Sequence, residues 1–432
     1  MTSSRFDRVV FASWLVSAWL VSGCGDDATH SDDDVGGTSD EASGGEASGG
    51  EASGCEGCED TNAAPDCRWD ADCDFGGHCD EGTCSAGAEP IESCPPASFT
   101  TRATPAFTGA LDYAVGDVDG DALAELVIVD DAGLRSYDLA TDSSVTSEPT
   151  LVAGLTRSLT LLRSDPGEPP DAAISTFGSE QVQIFHGDGL GGFADERVRT
   201  MAGPALSTAR LRRGPDVDGL LVELDLEGDN AIHLFTSEDQ VEPVQVFGSG
   251  GGFEDVDVGD LDGDGIDELL LLGGGDLAIW RANADATSYQ LSTTIAANAK
   301  PYWFAGCDSM AVGDLDGSGL PELVCAANPG GSTTAVGVWS RQFGDDYLVH
   351  DAVLVSGQHS ARLLADLDGD GRLELVLGPH FAQAAGGESF WCEDTTSIMG
   401  VSPMRAGDLD GDGRDELIGV GGPDTLAIVS RN

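Results

Sequence analysis

An all-β fold of repeated units is what this sequence predicts, and three observations predict it. An acidic nine-residue loop recurs five times, a short apolar run follows each copy, and the copies are regularly spaced. The loops read DVDGDALAE from Asp117, DLDGDGIDE from Asp260, DLDGSGLPE from Asp314, DLDGDGRLE from Asp366 and DLDGDGRDE from Asp408. Oxygen side chains fall at positions 1, 3, 5 and 9, and Gly at position 4 lets the backbone fold tightly around a centre. Calcium, a hard cation, takes about six to eight oxygens, which alternate side chains, a carbonyl at position 7 and a closing carboxylate supply together.

The EF-hand is the nearest competing reading, but it needs a bidentate Glu at position 12 between two helices. Position 12 is Ile128, Leu271, Cys325, Leu377 and Gly419. Each loop instead leads into an apolar run, such as LVIV after Glu125, LLLL after Glu268 and LVL after Glu374, which reads as a buried strand.

Spacing gives the architecture. The loop starts stand 143, 54, 52 and 42 residues apart, and a period of about 20 to 50 residues signals a solenoid or a propeller. The gap of 143 has room for two decayed repeats, near Asp165 and near Arg213. An apolar or aromatic residue closes a strand after each loop at Tyr137, Phe185, Phe235, Trp280, Trp339, Trp391 and Val429, which again makes seven units. We therefore expect an all-β, seven-bladed β-propeller over residues 98–432, with calcium loops in five blades. The last unit has room for only three strands after Met404. Residues 98–107 are expected to supply its fourth strand and close the ring.

The acidic loops, with QIFHGDGLGGF at Gln183–Phe193 and FGSGGGF at Phe247–Phe253, resemble FG-GAP/VCBS repeats, the unit of the integrin alpha-subunit propeller. The resemblance implies calcium ligands at Asp117, Asp119, Asp121, Leu123 (through its carbonyl) and Glu125, and likewise at Asp260, Asp262, Asp264, Ile266 and Glu268. It implies the same for Asp314, Asp316, Ser318, Leu320 and Glu322, for Asp366, Asp368, Asp370, Arg372 and Glu374, and for Asp408, Asp410, Asp412, Arg414 and Glu416. Up to five ions would bind. Ser318 departs from the usual acid and weakens its site, and blades two and three lack the pattern.

The amino terminus predicts location. Arg5 and Arg8 precede an apolar run from Val9 to Val21, too short to span a bilayer comfortably and suited to a signal-peptide core. The run ends in Val21-Ser22-Gly23-Cys24, which resembles a bacterial lipobox: residues 1–23 would be removed and Cys24 lipidated. Gly at position 25 favours the outer membrane by the family rule. Residues 24–54 are acidic, glycine-rich and without Lys or Arg, a composition that predicts a disordered tether.

Residues 55–97 hold Cys55, Cys58, Cys67, Cys73, Cys79, Cys84 and Cys94, which read as a small disulfide-rich module; the Cys55–Cys58 pair leaves a zinc site as the alternative. Three further cysteines, Cys307, Cys325 and Cys392, lie in the propeller segment. A hairpin that pairs Gly313 with Leu323 would keep Cys307 from Cys325, so the expected bridges are Cys307 with Cys392, and Cys325 with Cys94 or left free.

A formal net charge of −57 excludes nucleic acid as a partner, since phosphate binding needs a basic surface. Lysine chemistry is improbable with Lys300 alone, and no HExxH or nucleophile elbow is present. No catalytic residue is assigned. Tyr302, Trp303 and Phe304 break the aromatic rhythm, and with His380 they form the candidate ligand-binding residues. The expected function is a lipid-anchored, calcium-binding module of the cell envelope that binds or adheres to a protein or glycan. The rivals are a polysaccharide lyase or hydrolase on the same fold, and a purely structural envelope component.

Overall fold

The computed structural model describes residues 77–80, 83–86, 92–93 and, apart from short stretches, 98–431; the longest of those stretches are 104–111, 139–148, 296–306, 328–332, 342–346, 384–391 and 395–403. Every regular element among the described residues is a β-strand. Strands β1 (Gly77–Asp80) and β2 (Thr83–Ala86) form a hairpin that sets Cys79 opposite Cys84. Strands β3 (Glu92–Ser93) and β4 (Phe99–Ala103) each join a sheet of the propeller.

The propeller strands run in sequence order through seven units. The first holds β5 (Asp112–Gly116), β6 (Glu125–Asp130) and β7 (Gly133–Tyr137). The second holds β8 (Thr156–Leu162), β9 (Asp171–Thr176), β10 (Gln181–Gly187) and β11 (Phe193–Thr200). The third holds β12 (Ala205–Gly214), β13 (Val217–Leu226), β14 (Asp229–Phe235) and β15 (Gln245–Phe247). The fourth holds β16 (Asp255–Gly259), β17 (Glu268–Gly273), β18 (Asp276–Ala282) and β19 (Tyr289–Ile295). The fifth holds β20 (Cys307–Gly313), β21 (Glu322–Ala327), β22 (Thr333–Arg341) and β23 (Tyr347–Ser356). The sixth holds β24 (Ala361–Ala365), β25 (Glu374–Leu377), β26 (His380–Gln383) and β27 (Cys392–Asp394), and the last holds β28 (Met404–Gly407), β29 (Glu416–Gly422) and β30 (Thr425–Arg431).

Strand β4 pairs antiparallel with β30 and completes the last unit as its fourth strand, so a segment from before the first unit and the last strands of the propeller share one sheet. The first strands of the units, β5, β8, β12, β16, β20, β24 and β28, each contact the next, and β28 contacts β5. The expectation of seven four-stranded blades is corrected to six blades of four strands or more. The sheet β5–β6–β7 has three strands, and its fourth position is held only by an isolated bridge between Leu134 and Thr150, just after residues 139–148, which lie outside the described ones. The sixth blade gains a fifth strand, because β3 pairs parallel with β27.

The apolar runs lie where their pattern puts them. All six residues of β6 are buried, as are Leu269 to Leu272 of β17, since each second strand is covered by a neighbouring blade on both faces. Tyr137, Phe185, Phe235, Trp339 and Val429 are buried in third strands, whereas Trp280 is half-buried and Trp391 lies outside the described residues.

The expected cysteine pairing is overturned. Cys307 and Cys325 form a disulfide, with Cα atoms 5.8 Å apart. Gly313 pairs with Glu322 rather than Leu323, and a bulge between Cys307 and Ser309 puts Cys307 opposite Ala327. The extra residue turns Cys307 onto the face that carries Cys325, which itself faces Met310. Both sulfurs then lie in the core between the fourth and fifth blades.

Candidate metal centre

Each acidic loop joins a first strand to a second, so all five lie on one rim of the ring. The closing Glu sits directly opposite the residue before the loop: Gly116 with Glu125, Gly259 with Glu268, Gly313 with Glu322, Ala365 with Glu374 and Gly407 with Glu416. One oxygen of each Glu accepts the N–H of loop position 2, from Val118, Leu261, Leu315, Leu367 or Leu409, at 2.7–2.9 Å.

Asx turns fix the other acids. In the fourth unit, Asp260 accepts from Gly263 N–H at 2.8 Å and from Gly265 N–H at 2.8 Å, while Asp262 accepts from Asp264 N–H at 3.2 Å. Asp264 accepts from Ile266 N–H at 2.8 Å. The same pattern recurs around Asp117, Asp366 and Asp408, and Ser318 substitutes its hydroxyl in the fifth unit, accepting from Leu320 N–H at 3.3 Å. Each loop thus orders its oxygens with its own backbone before any ion arrives.

Oxygens of Asp117, Asp119 and Glu125 come within 4.8 Å of one another, as do those of Asp260, Asp262 and Glu268, and of Asp314, Asp316 and Glu322. Asp366, Asp368 and Glu374, and Asp408, Asp410 and Glu416, do the same. The donors are all oxygen and the closing Glu is buried, so the residues present fit a hard divalent cation. Burial pushes Glu125, Glu268, Glu322, Glu374 and Glu416 up to about 7, and the adjacent Asp carboxylates add to the rise. A proton or a cation is the natural occupant of such a cluster.

Two clusters already hold a guanidinium. Arg281 Nε lies 3.1 Å from Glu268 and 3.3 Å from Asp262, and Arg431 reaches across from the last unit to Glu374 at 3.2 Å and Asp368 at 3.1 Å.

The loops are also continuous with one another. The side chain at position 7 of each loop lies over the position 4 glycine of the preceding one: Leu320 over Gly263, Arg372 over Gly317, Arg414 over Gly369 and Leu123 over Gly411. Five acidic sites therefore form one unbroken arc through the fourth, fifth, sixth and last units to the first. Sequence reading missed position 8. Asp267 accepts from Arg212 N–H at 2.7 Å and donates its own N–H to Arg212 O at 2.8 Å, and Asp415 clips Asp366 in the same way. In the second unit, Asp171 occupies the closing position opposite Leu162 but is held by Ser164 Oγ at 2.7 Å and His186 Nδ1 at 3.1 Å. Protein groups there neutralise the closing carboxylate.

Of the candidate ligand-binding residues, Tyr302, Trp303 and Phe304 lie outside the described residues, and His380 is the first residue of β26. Cys24, residues 1–76 and Cys94 also lie outside them.

The FG-GAP-like repeat family matches residues 260–325, which include the acidic loops of the fourth and fifth units. No curated protein matches the chain. Among solved structures, BBS1N in complex with ARL6DN is 14% identical with a TM-score of 0.51, covering 79% of this chain and 98% of that one. The WD40 domain of Toxoplasma gondii coronin is 11% identical with a TM-score of 0.47, covering 79% and 88%. The exotype rhamnogalacturonan lyase YesX is 15% identical with a TM-score of 0.43, covering 82% and 79%. At such identities the likeness shows the fold alone. The chain is an all-β propeller that carries an FG-GAP-like repeat at residues 260–325.

Proposed function

We propose that this chain is a calcium-stabilised propeller that acts as a binding module of a bacterial envelope. The arc of five preordered acidic clusters on one rim carries the reading. Calcium suits them because the donors are oxygen only, the loops combine side chains with a backbone carbonyl, and repeated partly exposed sites of this kind bind in the range of roughly 0.1–1 mM in extracellular modules. Leu123, Ile266, Leu320, Arg372 and Arg414 would each give the carbonyl. Residues 1–23 would direct export, Cys24 would carry lipid, and residues 24–54 and 55–97 would hold the propeller away from the membrane as tether and cysteine-rich module. The ligand would be a protein or a glycan.

A panel of glycans and intact envelopes, applied to residues 55–432 in calcium and then in EGTA, tests the proposal. Saturable binding in calcium with the ligand left intact is the expected result. A shortened glycan would assign an enzyme instead, and no binding in either buffer would leave a structural envelope role.

A further inference from the structure

The five acidic clusters differ in what faces them from the third strand of each blade. Strand register pairs Leu269 with Trp280, Leu323 with Trp339, Leu126 with Tyr137 and Leu417 with Val429. The next residue along each third strand therefore comes to the closing Glu: Arg281 in the fourth unit, Ser340 in the fifth, Asp138 in the first and Ser430 in the last. Arg281 Nε there bridges Glu268 and Asp262 at 3.1 and 3.3 Å, whereas Ser340 Oγ stands 3.5 Å from Glu322, and Asp138 adds like charge around Asp119. Two more guanidiniums reach the fourth cluster: Arg212 Nη2 lies 3.2 Å from Asp260, and Arg341 Nη1 lies 3.7 Å from Asp262. In the sixth unit the cation is Arg431, which comes from the last strand to Asp368 and Glu374. Among the described residues, no ion pair reaches the clusters of Asp117, Asp314 or Asp408.

We propose that Arg281 is the resident cation of the fourth cluster and Arg431 that of the sixth, so that these two sites take calcium only after the first, fifth and last have filled. The proposal rests on the calcium reading and ranks the five sites within it. A guanidinium is permanently charged and donates several N–H bonds at once, so one side chain can serve two carboxylates. Glu268 and Glu374 are buried, which leaves these pairs less screened by salt than surface ones. An arriving calcium ion must break the charged hydrogen bonds and displace a like charge, which costs at least about tenfold in the binding constant. The first cluster has Asp138 beside it and fills first, and the hydroxyl of Ser318 makes the fifth the weakest of the other three. One third-strand position thus decides whether the loop beside it draws its positive charge from a metal or from a side chain.

Equilibrium dialysis against calcium at physiological ionic strength, counting ions bound per chain from below about 0.1 mM to well above 1 mM, is the test. The wild-type protein is expected to fill in two steps, with the last two ions at least about tenfold weaker than the tightest. Arg281→Ser, which gives the fourth unit the residue of the fifth, should move one ion into the first step, and Ser340→Arg should move one out of it. In EGTA, Arg281→Ser should also melt below wild type, and calcium should restore it, a response that the loss of a purely structural arginine does not give. One step for all the ions, or an unchanged count in both variants, would overturn the ranking and leave the calcium reading standing, whereas no bound calcium in any of the three proteins would overturn both. The wild-type curve depends on no variant, and matched melting temperatures in calcium show that the variants keep their fold.

Discussion

Ala122 occupies loop position 6, where the other four loops place Gly265, Gly319, Gly371 and Gly413 with φ between 83° and 87°. Its own φ is 73°, a left-handed conformation that costs a residue with Cβ about 1 kcal/mol. Ala122→Gly is therefore expected to stabilise the protein by about that amount and to raise its melting temperature. A fall in melting temperature would show that Ala122 is held by packing instead. The acids at positions 1, 3 and 9, whose oxygens cluster in every loop, were legible in the sequence because their chemistry is in the side chain. The demand at position 6 was not, because it belongs to the backbone. Nor was the clip at position 8, made by Asp267 and Asp415, since its partner lies in the preceding blade.

Blades meet through small residues at the ends of their first strands. A Cβ on Gly259 would stand 2.4 Å from Val312 of the fifth unit, and one on Gly407 would stand 2.5 Å from Val115 across the ring closure. Gly259→Val is expected to destabilise the protein by about 1–3 kcal/mol, the usual cost of overpacking, measured by urea unfolding. An unchanged midpoint would mean that the blades can part without loss. At this scale the sequence was read well where the loops punctuate it: β28 begins at Met404, and the closing strand β4, Phe99–Ala103, falls within residues 98–107. It failed where an irregularity intervenes: the bulge beside Cys307 reversed the expected disulfide partner, and no pattern of residues announces a bulge.

The acidic loops occupy consecutive units on one rim, whereas a cavity inside the ring is lined by residues as distant in sequence as Arg157 and Arg405, with Asp117 of the first loop among them. The rim was legible because its motif repeats locally. The cavity was not, because only ring closure brings β28 beside β5 and β8 into the same wall. On the rim, the sign of the pH dependence follows from the closing glutamates. Burial, with like-charged neighbours, raises their folded values to about 7 from an ordinary 4.5. Their protonated form is therefore favoured by folding. That contribution is fully present below about pH 4.5 and is lost as pH rises through about 7. A bound cation would substitute for the proton at higher pH.

Thermal unfolding between pH 5 and pH 8, in EGTA and in millimolar calcium, tests the central claim that these clusters are cation sites. In EGTA the melting temperature should fall as pH rises towards 8, and calcium should raise it little at pH 5 and strongly at pH 8. Coincident melting temperatures in EGTA and calcium at pH 8 would contradict the account.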